Sequence, residues 1–316
     1  MSRPVVLLPG PLNSVVLTGC AALFDVLRLW EEDEPEAVLD ARGAEVLGIA
    51  TMGHRPVDAD LMDRLPRLQV VACFGVGYET VDVEEATRRG VVVTNTPGVL
   101  DAEVADTALA LLLMTVRELS QAERHLRSGR WPEGAYPLTE ATMSGRSLGI
   151  LGLGRIGDAI ARRAEAFGMT VAYHNRRPKV DVGYRYYATL LELARAVDTL
   201  VVVVPGGQET RHLVDAEVLE ALGEGGILVN VGRGSVVDEN ALADALEAGT
   251  IRGAGLDVFE HEPHVPQRLL DLEQAVLLPH VGSASVPTRD AMGQLVVDNL
   301  AAWFDTGKAL TPVNNP

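Results

Sequence analysis

Ten short runs rich in Val, Ile and Leu punctuate this chain, with helical stretches between them. The first series is "PVVLLP" (4–9), "EVLGIA" (45–50), "LQVVACFG" (68–75) and "VVVTN" (91–95). The second is "SLGILG" (147–152), "MTVAYH" (169–174), "TLVVVVP" (199–205), "GGILVNV" (225–231), "GAGLDVF" (253–259) and "AVLLPHV" (275–281). A near-continuous apolar run suits a strand buried on both faces, the condition met in a parallel sheet. Strands alternating with helices predict an α/β architecture of doubly wound parallel sheets. Two series predict two sheets, and 316 residues leave room for two domains.

The first series ends at the Pro/Gly turn in "TNTPGVL", and the second begins near Ser147. Between them lies "DAEVADTALALLLMTVRELSQAERHLRSG" (101–129), where Leu109, Leu112, Leu113, Val116 and Leu119 recur at helical spacing and acids crowd the first turn. This pattern suits a long helix that bridges two domains or, equally, one more core helix. The tail "SVPTRDAMGQLVVDNLAAWFDTG" (285–307) reads as an amphipathic helix that returns to the first domain. The expected division is therefore a discontinuous domain, 1–98 plus 287–316, and a dinucleotide-binding domain, 99–286.

The phosphate-binding signature is Gly152-x-Gly154-x-x-Gly157, placed after a predicted strand and before a predicted helix. The first Gly permits the tight turn, the second lets backbone approach a pyrophosphate, and the third lets helix and strand pack closely. The helix N-terminus supplies N–H groups and partial positive charge. The next strand ends at Asn175, 18 residues after Gly157, where an NAD-type fold places an acid for the ribose hydroxyls. Asn175 drops that charge, and Arg176 and Arg177 offer permanent cationic forks to a 2′-phosphate. The loop favours NADP(H), with NAD(H) as the alternative.

Three polar residues follow apolar runs of the second series: Arg233, Glu262 and His280. Ligands of open α/β sheets bind beyond the carboxyl ends of the strands, and packing explains polar side chains there poorly. A guanidinium can hold a carboxylate and polarise a carbonyl. An imidazole can protonate the carbonyl oxygen, and a carboxylate beside it favours its charged form. Asp257 could bond a nicotinamide amide. The trio suits hydride reduction of a 2-oxo acid.

The formal charge of −17 argues against nucleic-acid and anionic-membrane surfaces. Cys20 and Cys73 have no metal-ligand spacing, so no metal is expected and a reducing compartment is. The opening "MSRPVVLLPGPLN" breaks too soon on Pro and Gly for a signal peptide, and no long apolar run follows, so a cytoplasmic protein is expected.

In the order and spacing of its blocks the chain resembles the D-isomer-specific 2-hydroxyacid dehydrogenases over nearly its whole length. The blocks are "GVGYETVDVEEATRRGVVVTNTPG" (75–98), "ADTALALLLM" (105–114), "GILGLGRIG" (149–157), "VNVGRGSVVDENAL" (229–242), "GAGLDVFEHEP" (253–263) and "LLPHVGSAS" (277–285). The resemblance implies a flavodoxin-like substrate domain, a Rossmann cofactor domain and a homodimer formed through the cofactor domains. It implies that Arg233 binds substrate and that Glu262 and His280 form the acid–base pair. Val76 and Gly77 would clamp the substrate carboxylate by their backbone, with Ser283 also at the substrate. Gly154, Arg155 and Ile156 would lie along the pyrophosphate, and Pro205, Thr210, Val231 and Asp257 would line the rest of the cofactor.

"HNRRP" and "SGRWPEGAYPLT" (128–139) resemble the NADPH-preferring glyoxylate/hydroxypyruvate reductase branch, which would make Trp131 a candidate at the partner's active site. The implied activity is reduction of glyoxylate or hydroxypyruvate. The alternatives are reduction of a bulkier acid such as phenylpyruvate, or a non-catalytic dinucleotide sensor. Glu79, and Gly206–Gly207 where bulkier residues are usual, depart from the family pattern.

Overall fold

All ten runs fold as parallel strands in the computed structural model, which describes residues 3–316. The first unit, residues up to Leu100 together with Ala284–Pro316, holds β1 (Val5–Leu8), β2 (Asp25–Arg28), β3 (Val46–Thr51), β4 (Val70–Cys73) and β5 (Val92–Thr94). Their order, β2-β1-β3-β4-β5, is the flavodoxin-like one. Leu7, Ile49, Val71 and Val93 are fully buried at its centre. The tail helix, Val286–Thr306, packs on the helix Ser14–Leu23 and on β4. It starts where Ser285 Oγ accepts the Thr288 N–H, with Pro287 in its first turn.

The second unit, Asp101–Ser283, holds β6 (Ser147–Leu151), β7 (Thr170–His174), β8 (Arg185–Tyr186), β9 (Thr199–Val202), β10 (Ile227–Asn230), β11 (Gly253–Leu256) and β12 (Ala275–Leu277). The order β8-β7-β6-β9-β10-β11-β12 is the Rossmann order with a seventh strand added at one edge. Leu200, Val202, Leu228 and Leu242 are fully buried in its core. No helix among the described residues is long and apolar enough to cross a membrane.

Two strands have no run of their own in the sequence reading. Both β2 and β8 lie at sheet edges, and β8 has only two residues. Of β2 only Leu27 is buried, and neither residue of β8 is, so neither strand carries a continuous apolar run. The expected long helix over 101–129 is broken into Asp101–Val116 and Leu119–Arg127 by Glu118, whose φ of 49° is left-handed. The first piece packs on β10, β11 and the helix Arg155–Ala166, and lies wholly in the second unit as a core helix. The second piece buries none of its residues, so no core face holds the two in one straight ladder.

Candidate active site

The strand order of the second sheet reverses between β6 and β9, and the glycine loop lies there, at the carboxyl end of β6. Gly152 has φ 103°, and a Cβ on it would stand 2.7 Å from Val204 Cγ1. A Cβ on Gly157 would stand 2.4 Å from the Gly152 carbonyl oxygen, whereas one on Gly154 would meet nothing within 4 Å. The outer glycines allow close packing, and the middle one faces open space. The helix Arg155–Ala166 starts at this point without a side-chain cap, which leaves the amides of Arg155 and Ile156 for an anion.

A cavity of about 1120 Å³ runs from this loop to Asn175, Arg176 and Arg177 after β7 and to the Pro205–Thr210 segment after β9. Asn175 turns back toward the loop. Its Oδ1 accepts the Leu153 N–H at 2.7 Å and its Nδ2 donates to the Leu153 carbonyl at 3.4 Å. It therefore fastens the glycine loop and leaves the ribose end without an acid at its own position. Arg176 and Arg177 are exposed, and Arg176 Nη1 lies 2.9 Å from Glu209 Oε2. The Thr210 hydroxyl donates to the Pro205 carbonyl at 2.8 Å, so this side chain shapes the loop that walls the cavity. Val231 is buried, donates its N–H to the Val202 carbonyl at 3.1 Å, and lies outside the cavity lining. The open glycine, the uncapped helix and the cavity fit a dinucleotide. Two guanidiniums beside a neutral Asn175 fit a phosphorylated ribose.

On the same unit, His280 Nδ1 lies 2.7 Å from Glu262 Oε2. An ionised carboxylate only accepts, so Nδ1 carries the proton here and Nε2 is left for chemistry. Glu262 Oε1 accepts the Phe259 N–H at 3.0 Å. Burial alone would push the Glu262 carboxyl up. The His280 and Phe259 hydrogen bonds and the charges of His280 and Arg233 outweigh it and hold the group below its ordinary value.

His280 has φ 52°, unusual for a residue with a side chain. Asp257, 2% exposed, holds it there. The Asp257 carbonyl accepts the His280 N–H at 2.8 Å, and the two carboxylate oxygens accept the N–H groups of Val281 at 2.7 Å and Gly282 at 2.8 Å. Burial pushes the Asp257 carboxyl up, against the two amide hydrogen bonds. The sequence assigns Asp257 to a nicotinamide amide, whereas the structure also makes it the clamp of the histidine turn.

Arg233 rides on the turn after β10, and its Nη1 donates to the Gly232 carbonyl at 2.7 Å. Asn230, 1% exposed, folds that turn: Nδ2 donates to the Arg233 carbonyl at 2.9 Å and Oδ1 accepts the Gly232 N–H at 3.0 Å. A Cβ on Gly234 would lie 1.8 Å from the Phe259 carbonyl carbon, so the arginine turn rests directly on the backbone leading to Glu262. Glu239, a buried carboxyl pushed up by burial, accepts the Glu260 N–H at 2.8 Å and fixes the same segment. The roles of Gly234 and Glu239 are set by contacts between separate segments and are not visible in the local pattern. For Asn230 the one signal available is an Asn ending an otherwise apolar strand. Ser283 is partly buried in the loop that follows His280.

Val76 and Gly77 belong to the first unit, in the turn after β4. Thr96 Oγ1 accepts the Gly75 N–H at 3.1 Å and Asn95 Nδ2 donates to the Val76 carbonyl at 2.9 Å, so this turn is firmly held. The N–H groups of Val76 and Gly77 have no backbone partner among the described residues. Trp131 is 64% exposed.

Residues 109–282 match the family described as D-isomer specific 2-hydroxyacid dehydrogenase, NAD binding domain. The chain is 46% identical over 308 residues to glyoxylate/hydroxypyruvate reductase A of Arabidopsis thaliana, covering 98% of each. It is 43% identical over 308 residues to the hydroxyphenylpyruvate reductase of Plectranthus scutellarioides, again with 98% of each covered. Among solved structures, the NADPH-dependent glyoxylate/hydroxypyruvate reductase of Sinorhizobium meliloti, in complex with NADP and malonate, superposes with a TM-score of 0.93 at 56% identity. The match covers 99% of this chain and 97% of that one.

Proposed function

This chain belongs to the D-isomer-specific 2-hydroxyacid dehydrogenase family, and we propose that it reduces small 2-oxo acids, glyoxylate and hydroxypyruvate foremost, to 2-hydroxy acids with NADPH. The observation that carries the chemistry is the Glu262–His280 pair at 2.7 Å, on the same unit as Arg233. The reduced nicotinamide, when bound, supplies a hydride to the carbonyl carbon. His280 gives the proton on Nε2 to the carbonyl oxygen, and Glu262 keeps the ring oriented through Nδ1. The Arg233 guanidinium holds the substrate carboxylate and draws electron density toward the carbonyl oxygen. Val76, Gly77 and Ser283 take the substrate roles that the family resemblance implies. In the reverse direction His280 accepts the hydroxyl proton.

The preference for NADPH rests on Arg176 and Arg177 at a cavity end where Asn175 carries no charge. The hydroxyphenylpyruvate reductase likeness supports a second reading, a bulkier aromatic substrate. Steady-state rates for glyoxylate, hydroxypyruvate, pyruvate and phenylpyruvate, each with NADPH and with NADH, separate the two. The highest kcat/KM falls to glyoxylate or hydroxypyruvate with NADPH. Good turnover of phenylpyruvate alone overturns the substrate assignment.

The working unit is a homodimer. The helix Leu119–Arg127 buries none of its residues in the single chain, and beyond it Trp131 and Leu138 are 64% and 96% exposed. Exposed apolar side chains along this segment suit cover by a second copy. Light scattering in solution then gives twice the chain mass of 33.8 kDa, and a mass of one chain overturns the dimer. The two free, buried cysteines suit a cytoplasmic location.

A further inference from the structure

We infer that Glu209 sets the balance between the phosphorylated and unphosphorylated dinucleotide, by holding Arg176 on its own carboxylate until a 2′-phosphate displaces it. The inference rests on the NADP(H) reading above and adds a residue that opposes it. Glu209 is the single carboxylate among the described residues lining the cavity. Its Oε2 sits 2.9 Å from Arg176 Nη1, the guanidinium that a 2′-phosphate needs. Its backbone is held in place: it lies in the 3-10 turn Gln208–Thr210, which the Thr210 hydroxyl ties to the carbonyls of Pro205 at 2.8 Å and Gly207 at 3.3 Å.

The charges at this end of the cavity decide the consequence. Arg176 and Arg177 bring two positive charges, and Glu209 cancels one of them. A phosphate monoester carries about 1.5 to 2 negative charges near neutral pH. It is best matched when both guanidiniums are released, and it is repelled by a carboxylate that stays. A ribose 2′-hydroxyl has the opposite need, because it can donate a hydrogen bond to the same carboxylate. With Asn175 spent on the Leu153 backbone, Glu209 is placed to act as the acid missing from the end of β7, approaching from across the cavity. The ion pair is 89% and 80% exposed, so it exchanges readily and its removal has a modest effect.

The test uses binding alone, with 2′,5′-ADP and 5′-AMP as probes that differ only in the 2′-phosphate. Dissociation constants are measured by calorimetry for the wild-type protein and for Glu209→Gln, at low and high ionic strength. Glu209→Gln should tighten 2′,5′-ADP about two- to five-fold. It should leave 5′-AMP unchanged or weaker, and the gain should shrink in high salt. Unchanged binding of 2′,5′-ADP, or equal tightening of both probes, overturns the inference even when the wild type prefers 2′,5′-ADP and the NADP(H) reading stands. A wild type without that preference, whose Glu209→Gln variant gains it, upholds the inference and overturns the NADP(H) reading.

Discussion

Replacing His280 by Ala lowers the rate of 2-oxo acid reduction by about 10²- to 10⁴-fold, the contribution of a positioned general acid. The carbonyl oxygen must gain a proton as hydride reaches carbon, and on this unit the imidazole aligned by Glu262 at 2.7 Å is built to supply it. The substitution also disturbs a residue at φ 52°, a conformation that Ala adopts poorly. His280→Asn is therefore the companion variant, because Asn tolerates left-handed backbone yet cannot act as an acid near neutral pH. Both variants lose the rate and keep wild-type affinity for 2′,5′-ADP, whose cavity His280 does not line. Steady-state kcat with glyoxylate and a binding titration measure the two effects. A rate within about ten-fold of wild type in either variant sinks the mechanism. Recovery in the Asn variant alone would assign the loss to the turn rather than to the proton.

The combined change Arg176→Ala and Arg177→Ala raises KM for NADPH about 10- to 100-fold, the loss of a charged hydrogen bond worth about 1.5–3 kcal/mol. Both side chains are exposed in the free chain, so their value arises on contact with the phosphate, where charge-assisted bonds to a guanidinium are strong. NADH has no 2′-phosphate, and its KM should change by no more than about two- to five-fold. The size of the NADPH effect should fall as salt rises, because exposed charges are screened. Equal effects on both cofactors would mean that the arginines are only solvated, and the NADPH preference would then need another origin. This double variant and Glu209→Gln push NADPH affinity in opposite directions, so the two results check one another.

Much of this protein was legible before folding. The ten buried runs, the glycine loop and the three strand-end residues Arg233, Glu262 and His280 are local signals. Each follows from what a short segment must do: bury both faces, turn tightly, or carry a charge where a core strand stops. The strands β2 and β8 escaped because β2 has only two apolar residues, flanked by Asp25 and Arg28, and β8 has only two residues, neither of them buried. The break at Glu118 escaped because the apolar spacing runs on through Leu119, while burial stops at Val116. Asn175 stands at the position expected to face the ribose, and its side chain also bonds the backbone of Leu153, 22 residues earlier in the chain, a pairing with no local signal.

The sequence by itself therefore determined the number of buried strands, the phosphate loop and the kinds of side chain at the strand ends. It also determined the family, through the order of its blocks. Only the tertiary structure decided which polar atoms meet. It brought Glu262 to His280 across 18 residues and Glu209 to Arg176 across 33. It also enlisted Asp257 to hold the histidine turn through the amides of Val281 and Gly282. The physical reason is one of range. Burial and backbone conformation are written in a segment's own period and composition, whereas a hydrogen bond between distant side chains exists only once the strand order has set their separation to within a few tenths of an ångström.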